Sequence, residues 1–178
     1  MEKEKTADQP MRISILLPTN AYFISGIRDF TMTFIKNATS FSEQWAYRFQ
    51  SIVDELCNNA IEHGSNPGED IKLTLTYTPE VSISICIEDT GTGNKKMTAD
   101  ELQKLIDERR KPGYVNTGIR GRGLANIIVN WSDGVTFENL SGGGLKVTAT
   151  KNLDKMQDQI TQEQAKTVSA PGHLVLTE

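Results

Sequence analysis

Two polar residues four positions apart, Glu55 and Asn59, are the first candidates for chemistry in this sequence. Residues at this spacing lie one turn apart on the same side of a helix, so the carboxylate and the carboxamide point the same way. A carboxamide oxygen suits a hard cation such as Mg²⁺, and the carboxylate could accept a proton from an attacking hydroxyl or water. The alternative is that both are ordinary solvent-facing helix residues, as most pairs at this spacing are.

The apolar residues around this pair predict a long helix. They recur at three- and four-residue steps, which is the spacing of one helical face. Ser42 is the predicted start of the helix, and Gly64, with Pro67 shortly after it, is the predicted end. The apolar face consists of Phe49, Ile52, Val53, Leu56, Ala60 and Ile61.

A second candidate, Asp89, follows an apolar segment in which alternate residues are isoleucine. Such alternation predicts a strand with one buried face. A carboxylate at the end of that strand could accept a hydrogen bond from an exocyclic amine such as that of adenine, and Gly91 and Gly93 would let the backbone approach a flat base. The alternative is a tight Asp-Thr-Gly turn that binds nothing.

A third cluster, of glycines and arginines, precedes a short apolar helix. Backbone N–H groups at a helix N-terminus bind phosphate, and the arginines would add positive charge for a triphosphate. Alternatively, the arginines are ordinary solvated residues. The cluster consists of Arg120, Gly121, Arg122, Gly123 and Leu124. Asn58, beside Asn59, is either a supporting polar contact or a residue that simply caps or bridges elements.

The composition restricts the class of protein. A chain of 178 residues, 37% of them hydrophobic, is long enough for one domain with a core. A net charge of -4 argues against direct nucleic-acid binding, which needs concentrated Lys and Arg. The sequence contains no apolar secretion signal or membrane-spanning segment, which predicts a cytoplasmic protein without a membrane contact. Cys57 and Cys86 lie in apolar patterns, which predicts reduced, buried thiols.

The order of the predicted elements defines the fold class. The predicted helices cover about 23–36, 42–64 and 124–131, and the predicted strands cover 12–17, 71–77, 81–88, 134–139 and 144–151. Few long parallel crossovers are implied, so the helices can all pack on one face of a mixed, mostly antiparallel sheet. The sequence therefore predicts a two-layer α/β sandwich of the α+β type.

The predicted elements also divide the chain. Residues 1–11 are predicted to be a flexible leader, 12–152 a single domain, and 153–178 a polar C-terminal tail. Residues from about 94 to 120 form a charged, glycine-punctuated insertion with an amphipathic segment at 99–106. This composition predicts a mobile lid, with a plain surface loop as the alternative.

The three clusters, in this order, resemble the N, G1 and G2 boxes of the GHKL ATPase superfamily. The matching residues are Glu55 and Asn59 in the N box, Asp89, Gly91 and Gly93 in the G1 box, and Gly121 and Gly123 in the G2 box. Within the superfamily, the short chain with its own first strand and helix looks most like the anti-sigma-factor serine/threonine kinases of bacterial partner switching. The similarity covers roughly residues 12 to 152.

The resemblance implies a Bergerat-type fold with a site for ATP and Mg²⁺. Glu55 would be the general base, Asn59 the Mg²⁺ ligand and Asp89 the residue that binds adenine. The G1 glycines would form the turn on the base side, and the G2 glycines would form the hinge of the lid on the phosphate side. Asn94 departs from the pattern, because many members have an apolar residue directly after the second G1 glycine.

The resemblance also implies partners. Such a kinase would transfer the γ-phosphate to a serine or threonine of a STAS-type antagonist and would separately sequester a sigma factor or similar regulator. Arg28, on the first helix, would be a candidate partner contact, and the chain would form a homodimer. Two alternatives remain. One is a nucleotide-gated protein-binding module without physiological kinase activity, and the other is an ATPase domain cut from a larger sensor or phosphatase.

Overall fold

The computed structural model describes residues 9–94, 97–109, 111 and 129–153. Its strands are β1 (Met11–Pro18), β2 (Asp70–Thr78), β3 (Ser82–Glu88), β4 (Gly134–Asn139) and β5 (Leu145–Asn152). They form one sheet in the order β1-β2-β3-β5-β4, and each of its four strand pairs is antiparallel. The prediction of a mostly antiparallel sheet is confirmed, and the described strands include no parallel pair.

The helices of the described residues are α1 (Ile24–Ala38), α2 (Glu43–Asn59), α3 (Ala99–Arg109) and the short α4 (Val129–Trp131). A 3-10 turn, Ala21–Phe23, precedes α1, and a π turn, Ala60–Gly64, continues α2. The observed strand ends lie within one residue of the predicted ones, and α1 runs two residues beyond its predicted end. Only the last residues of the predicted helix at 124–131 are among those described.

The core lies between the sheet and the two long helices. Strands place side chains on alternate faces. Leu75, Ile85 and Ala149, which are paired across three neighbouring strands, belong to the core, and the partly buried Ile13 of β1 packs against it. The apolar face predicted for α2 is buried, apart from the half-buried Ile61. The helix α2 is therefore held along its length, which fixes the direction of its polar side chains.

The beginnings of α1 and α2 differ from their predicted form. The Asn20 side chain caps the 3-10 turn by accepting a hydrogen bond from the Tyr22 N–H at 2.9 Å. Phe23, the first residue of the helix predicted at about 23–36, is 43% exposed and belongs to this turn rather than to α1. Ser42 does stand at the N-cap of α2, but its buried hydroxyl makes no hydrogen bond to a described residue.

The helix α3 lies within the predicted lid and is attached to the sheet. Its N-terminus is a capping box in which the Thr98 N–H donates to the Glu101 carboxylate at 2.8 Å and the Glu101 N–H donates to the Thr98 hydroxyl at 3.3 Å. The Ala99 N–H donates to Asn139 of β4 at 2.9 Å. Leu102 and Ile106 are buried. This part of the insertion is therefore a docked helix, and most of the remaining lid lies outside the described residues.

The other face of the sheet is polar. Lys72 and Glu88, on β2 and β3, form an ion pair of 3.0 Å, and Lys146 and Glu138, on β5 and β4, form another of 2.9 Å in the same row of the sheet. Pairs of this kind suit a sheet with one face toward solvent. Within the described ranges, no helix is long and apolar enough to cross a membrane.

Candidate functional site

Glu55 and Asn59 meet on the last turns of α2, as their spacing predicts. The Asn59 amide donates a hydrogen bond from Nδ2 to Glu55 Oε1 at 2.8 Å, and both side chains are half-buried. With Nδ2 turned toward the carboxylate, Asn59 Oδ1 points away from it. The pair therefore offers one amide oxygen and one carboxylate from the same helical surface. Asn58, the neighbouring residue, is also half-buried.

The π turn after α2 carries the chain from this pair to Asp89. Single π turns within α-helices are frequent at functional sites, and this one directly continues α2. Gly64 ends the turn, but it does not adopt the left-handed conformation of the predicted C-terminal glycine. A Cβ atom at Gly64 would lie 2.3 Å from Asp89 Oδ2. The reason for glycine at this position is therefore the close approach of the Asp89 side chain.

Asp89 lies just beyond β3 and is held by two backbone donors. Its Oδ1 accepts hydrogen bonds from the N–H of Gly91 at 3.0 Å and from the N–H of Leu145 at 2.9 Å. Its own N–H donates to the Leu145 carbonyl at 3.0 Å. Both side-chain bonds use Oδ1, so Oδ2 is the oxygen placed against Gly64. Burial raises the pKa of Asp89, and the two N–H donors oppose that shift.

The two glycines of the G1 segment are required by packing of backbone against backbone. Gly91 has a φ of 68°, and a Cβ atom there would lie 1.8 Å from the Gly143 carbonyl oxygen. A Cβ atom at Gly93 would lie 2.2 Å from the His63 carbonyl oxygen. The Gly93 N–H also donates to the Gly64 carbonyl at 3.2 Å. The glycines therefore shape the loop itself, and the approach of this backbone to a flat base stays a prediction.

The turn between β4 and β5 is a part of the site that the sequence did not predict. Gly144 packs so closely on the loop after β3 that a Cβ atom there would lie 2.1 Å from the Asp89 carbonyl oxygen. The sequence pattern predicts this segment only as the connection of two strands. The run of three glycines, Gly142 to Gly144, is longer than a simple hairpin turn requires, and this was the available signal.

Other predicted residues stand apart from this cluster or outside the described ranges. Arg28 is exposed on α1, and its Nη1 lies 3.7 Å from Oδ1 of Asp54, the residue before Glu55. The predicted phosphate-side cluster, Arg120, Gly121, Arg122, Gly123 and Leu124, lies outside the residues that the structure describes. The two cysteines are buried and free, as predicted, and burial raises the pKa of Cys57 to about 12.

The donor set at Asn59 fits a hard cation that also takes ligands from elsewhere. Among the described residues, no three His, Cys, Asp or Glu side chains come together as a metal cluster. Mg²⁺ characteristically binds one or two protein oxygens and completes its octahedron with phosphate oxygens and water. Asn59 Oδ1, held by the hydrogen bond from Nδ2 to Glu55, is an oxygen of the required kind.

The family model of the histidine kinase-like ATPase domain matches residues 17–151 of the chain. The match begins in β1, ends in β5 and includes α2, the π turn and the loop after β3. The chain therefore belongs to the histidine kinase-like ATPase domain family, consistent with the GHKL superfamily inferred from the three motifs. Membership implies that the domain binds ATP. A comparison with curated proteins found no match.

Proposed function

We propose that this protein is an ATP- and Mg²⁺-dependent serine/threonine protein kinase of the anti-sigma-factor type. It phosphorylates a STAS-type antagonist and separately binds a sigma factor or a similar regulator. The observation that carries the proposal is the hydrogen bond of 2.8 Å between Asn59 and Glu55. It holds a carboxylate and a carboxamide together next to the turn that leads to Asp89, and the proposal assigns them as the base and the cation ligand.

Asp89 is the proposed adenine-binding residue. The two backbone N–H groups on Oδ1 fix the side chain before the base arrives, so little conformational entropy is lost on binding. Oδ2 then accepts the hydrogen bond from the N6 amine of adenine. Because Oδ2 is an acceptor, the base must present a hydrogen-bond donor to it. A purine with an oxygen at C6, in place of the N6 amine, would place a second acceptor against Asp89.

Glu55 is the proposed general base. The hydroxyl oxygen of the substrate serine or threonine forms a bond to the γ-phosphorus, the bond from that phosphorus to the bridging oxygen breaks, and ADP leaves. The hydroxyl proton passes to Glu55. Asn59 Oδ1 would hold Mg²⁺, which supplies charge neutralisation on the phosphates. Asn59 also orients Glu55 through its Nδ2 hydrogen bond.

The phosphate side and the partner surface of the proposal rest on the family resemblance. Gly121 and Gly123 would form the hinge of the lid and bind phosphate, together with Arg120 and Arg122. Arg28 would contact a protein partner. Its ion pair with Asp54 is long, at 3.7 Å, and both side chains are partly exposed, so a partner carboxylate can replace Asp54. A homodimer is part of the same proposal.

The direct test is transfer of ³²P from [γ-³²P]ATP, with Mg²⁺, to a STAS protein encoded beside this chain. The wild type should label that protein, while Glu55→Ala and Asn59→Ala should reduce the rate by at least about a hundredfold. Glu55→Ala should still bind ATP. Glu43→Gln is a matched control, since Glu43 is a carboxylate at the other end of α2 that pairs with Lys36 at 2.6 Å; it should label at the wild-type rate.

The proposal fails if wild-type protein binds ATP and forms a nucleotide-dependent complex with the STAS protein, but transfers no phosphate to that protein. That result would identify the nucleotide-gated binding module considered above. Equal transfer by wild type and Glu55→Ala would remove Glu55 as the base and would also contradict the proposed mechanism.

A further inference from the structure

Glu69 forms a hydrogen-bonded latch on the outer side of the loop that carries Asp89. Glu69 lies in the turn between Gly64 and β2. Its Oε2 accepts hydrogen bonds from the hydroxyls of Thr90 and Thr92 and from the Asn66 N–H, the last at 3.1 Å. The two threonine hydroxyls are also 2.9 Å apart. These hydroxyl donors lower the pKa of Glu69, so the carboxylate is ionised near neutral pH.

Residues of the loop from Asp89 to Gly93 alternate between two sides of that loop. Asp89, Gly91 and Gly93 face the rest of the domain, where they contact the π turn and the turn between β4 and β5. The two intervening threonines bind Glu69 instead. One carboxylate oxygen thus joins the side chains of both intervening threonines.

The turn that carries Glu69 is itself tied to the end of β1. The Thr19 N–H donates to the Glu69 carbonyl at 2.8 Å, and the Thr19 hydroxyl donates to the Asn66 carbonyl at 2.9 Å. The Gly68 N–H in turn donates to the Thr19 hydroxyl at 3.1 Å. The latch therefore connects the Asp89 loop to a sheet strand, which is a rigid support for a binding residue.

We propose that Glu69 is a positioning residue for base recognition, which holds the loop from Asp89 to Gly93 in the shape that binds adenine. The inference rests on the proposed ATP site. It assigns Glu69 to the ATP affinity and to the discrimination between bases, and not to phosphate transfer. Since the base contacts are the same in the ground state and the transition state, weakening them raises KM and leaves kcat unchanged.

The test compares Glu69→Ala with wild type in calorimetric titrations with ATP and with GTP, and in steady-state transfer assays. Glu69→Ala should raise the Kd for ATP about tenfold, a size typical of lost hydrogen bonds to a charged group. It should raise the Kd for GTP much less, so the ratio of the two constants should shrink, and kcat at saturating ATP should stay near the wild-type value. Glu69→Gln keeps a carbonyl acceptor and should recover part of the affinity.

A double-mutant cycle separates the latch from a general structural effect. The double variant Thr90→Val/Thr92→Val removes both hydroxyls, so it should weaken ATP binding as Glu69→Ala does and add little when combined with it. This variant also tests the latch if Glu69→Ala does not fold. Glu43→Gln, which removes the charge of a carboxylate bound to Lys36, should leave both dissociation constants unchanged.

An unchanged ratio of the ATP and GTP constants in Glu69→Ala, or additive effects in the cycle, would overturn the inference while leaving the proposed kinase intact. Wild-type protein that binds neither nucleotide would instead refute the proposed function itself. A fall in kcat without a change in KM would place Glu69 in phosphate transfer and would also contradict its assignment as a positioning residue for the base.

Discussion

Asp89 is held in place by neighbouring backbone, and its side chain packs closely on Gly64. Since Oδ1 is bound by two N–H groups, the side chain cannot rotate away without losing hydrogen bonds. A methyl group at Gly64 would meet not only Oδ2 but also Cγ, at 2.5 Å, and Cβ, at 2.7 Å. A side chain at this position would therefore force Asp89 to shift.

Gly64→Ala should lower the free energy of unfolding by about 1–3 kcal/mol, the usual range for an overpacked contact. It should also weaken ATP binding, because Asp89 must shift. Urea denaturation and calorimetric titration measure the two effects. Gly26→Ala is the matched control, since a Cβ atom at this exposed position of α1 would have nothing within 4 Å.

Gly26→Ala should raise the stability by about 0.5–1 kcal/mol, because alanine is favoured over glycine inside a helix. ATP binding should be unchanged in this control. If Gly64→Ala were as stable as Gly26→Ala and bound ATP normally, the close packing of Gly64 on Asp89 would have no functional importance.

The residues with local signals could be predicted, and those that depend on contacts between distant segments could not. The spacing of Glu55 and Asn59 on a helix determines that they meet, so the sequence was sufficient for this pair. The contact of Gly144 with Asp89 joins segments more than fifty residues apart, which no local pattern encodes. Glu69 was missed for the same reason, since its partners Thr90 and Thr92 follow the next two strands.

At the scale of elements, α3 shows that a charged insertion can form a helix that packs on the domain. Its capping box and its hydrogen bond to Asn139 satisfy N–H groups at the helix start, and its buried Leu102 and Ile106 provide the contact with the domain. A helix of this length depends on such tertiary contacts, because short helices are only marginally stable alone. The amphipathic segment predicted at 99–106 corresponds to this helix, and the mobile lid predicted for the insertion as a whole stays a prediction.

Thr98→Ala should destabilise α3 locally by about 1 kcal/mol, the typical cost of losing an N-cap side chain. Faster hydrogen exchange should be confined to the amides of α3, with the exchange in α2 unchanged. Thr98→Ser is the matched control, because it keeps the capping hydroxyl and should exchange like wild type. Equal exchange in Thr98→Ala and wild type would mean that the capping box does not hold this helix.

The strands were predicted to within one residue because their alternation reflects one buried face and one polar face. The start of α1 was not predicted correctly, because Phe23 continues the apolar spacing of the helix although it belongs to the 3-10 turn before it. Periodicity reports which residues could share a face. It does not report whether the backbone has already become α-helical at that residue.

At the scale of the molecule, the two-layer arrangement brings all described parts of the site to one end of the sheet. The end of α2, the end of β3 and the turn between β4 and β5 meet around Asp89, through the contacts of Gly64, Gly91 and Gly144. The element order was sufficient to predict the two layers, and the family match over residues 17–151 supports the same architecture. The meeting of these three segments needed the sheet order β3-β5-β4, which the sequence analysis did not assign.

The central claim, that Asp89 binds the adenine base, is tested most directly by calorimetric titration of ATP into wild type and Asp89→Asn. The asparagine can keep an oxygen acceptor for the N–H groups of Gly91 and Leu145, while placing an amide donor where Oδ2 faces the base. Asp100→Asn, an exposed position on α3, is the control for the lost charge. We expect the Kd of Asp89→Asn to rise at least about tenfold, or roughly 1.4 kcal/mol, with an unchanged melting temperature. Equal ATP affinity in wild type and Asp89→Asn would contradict the account.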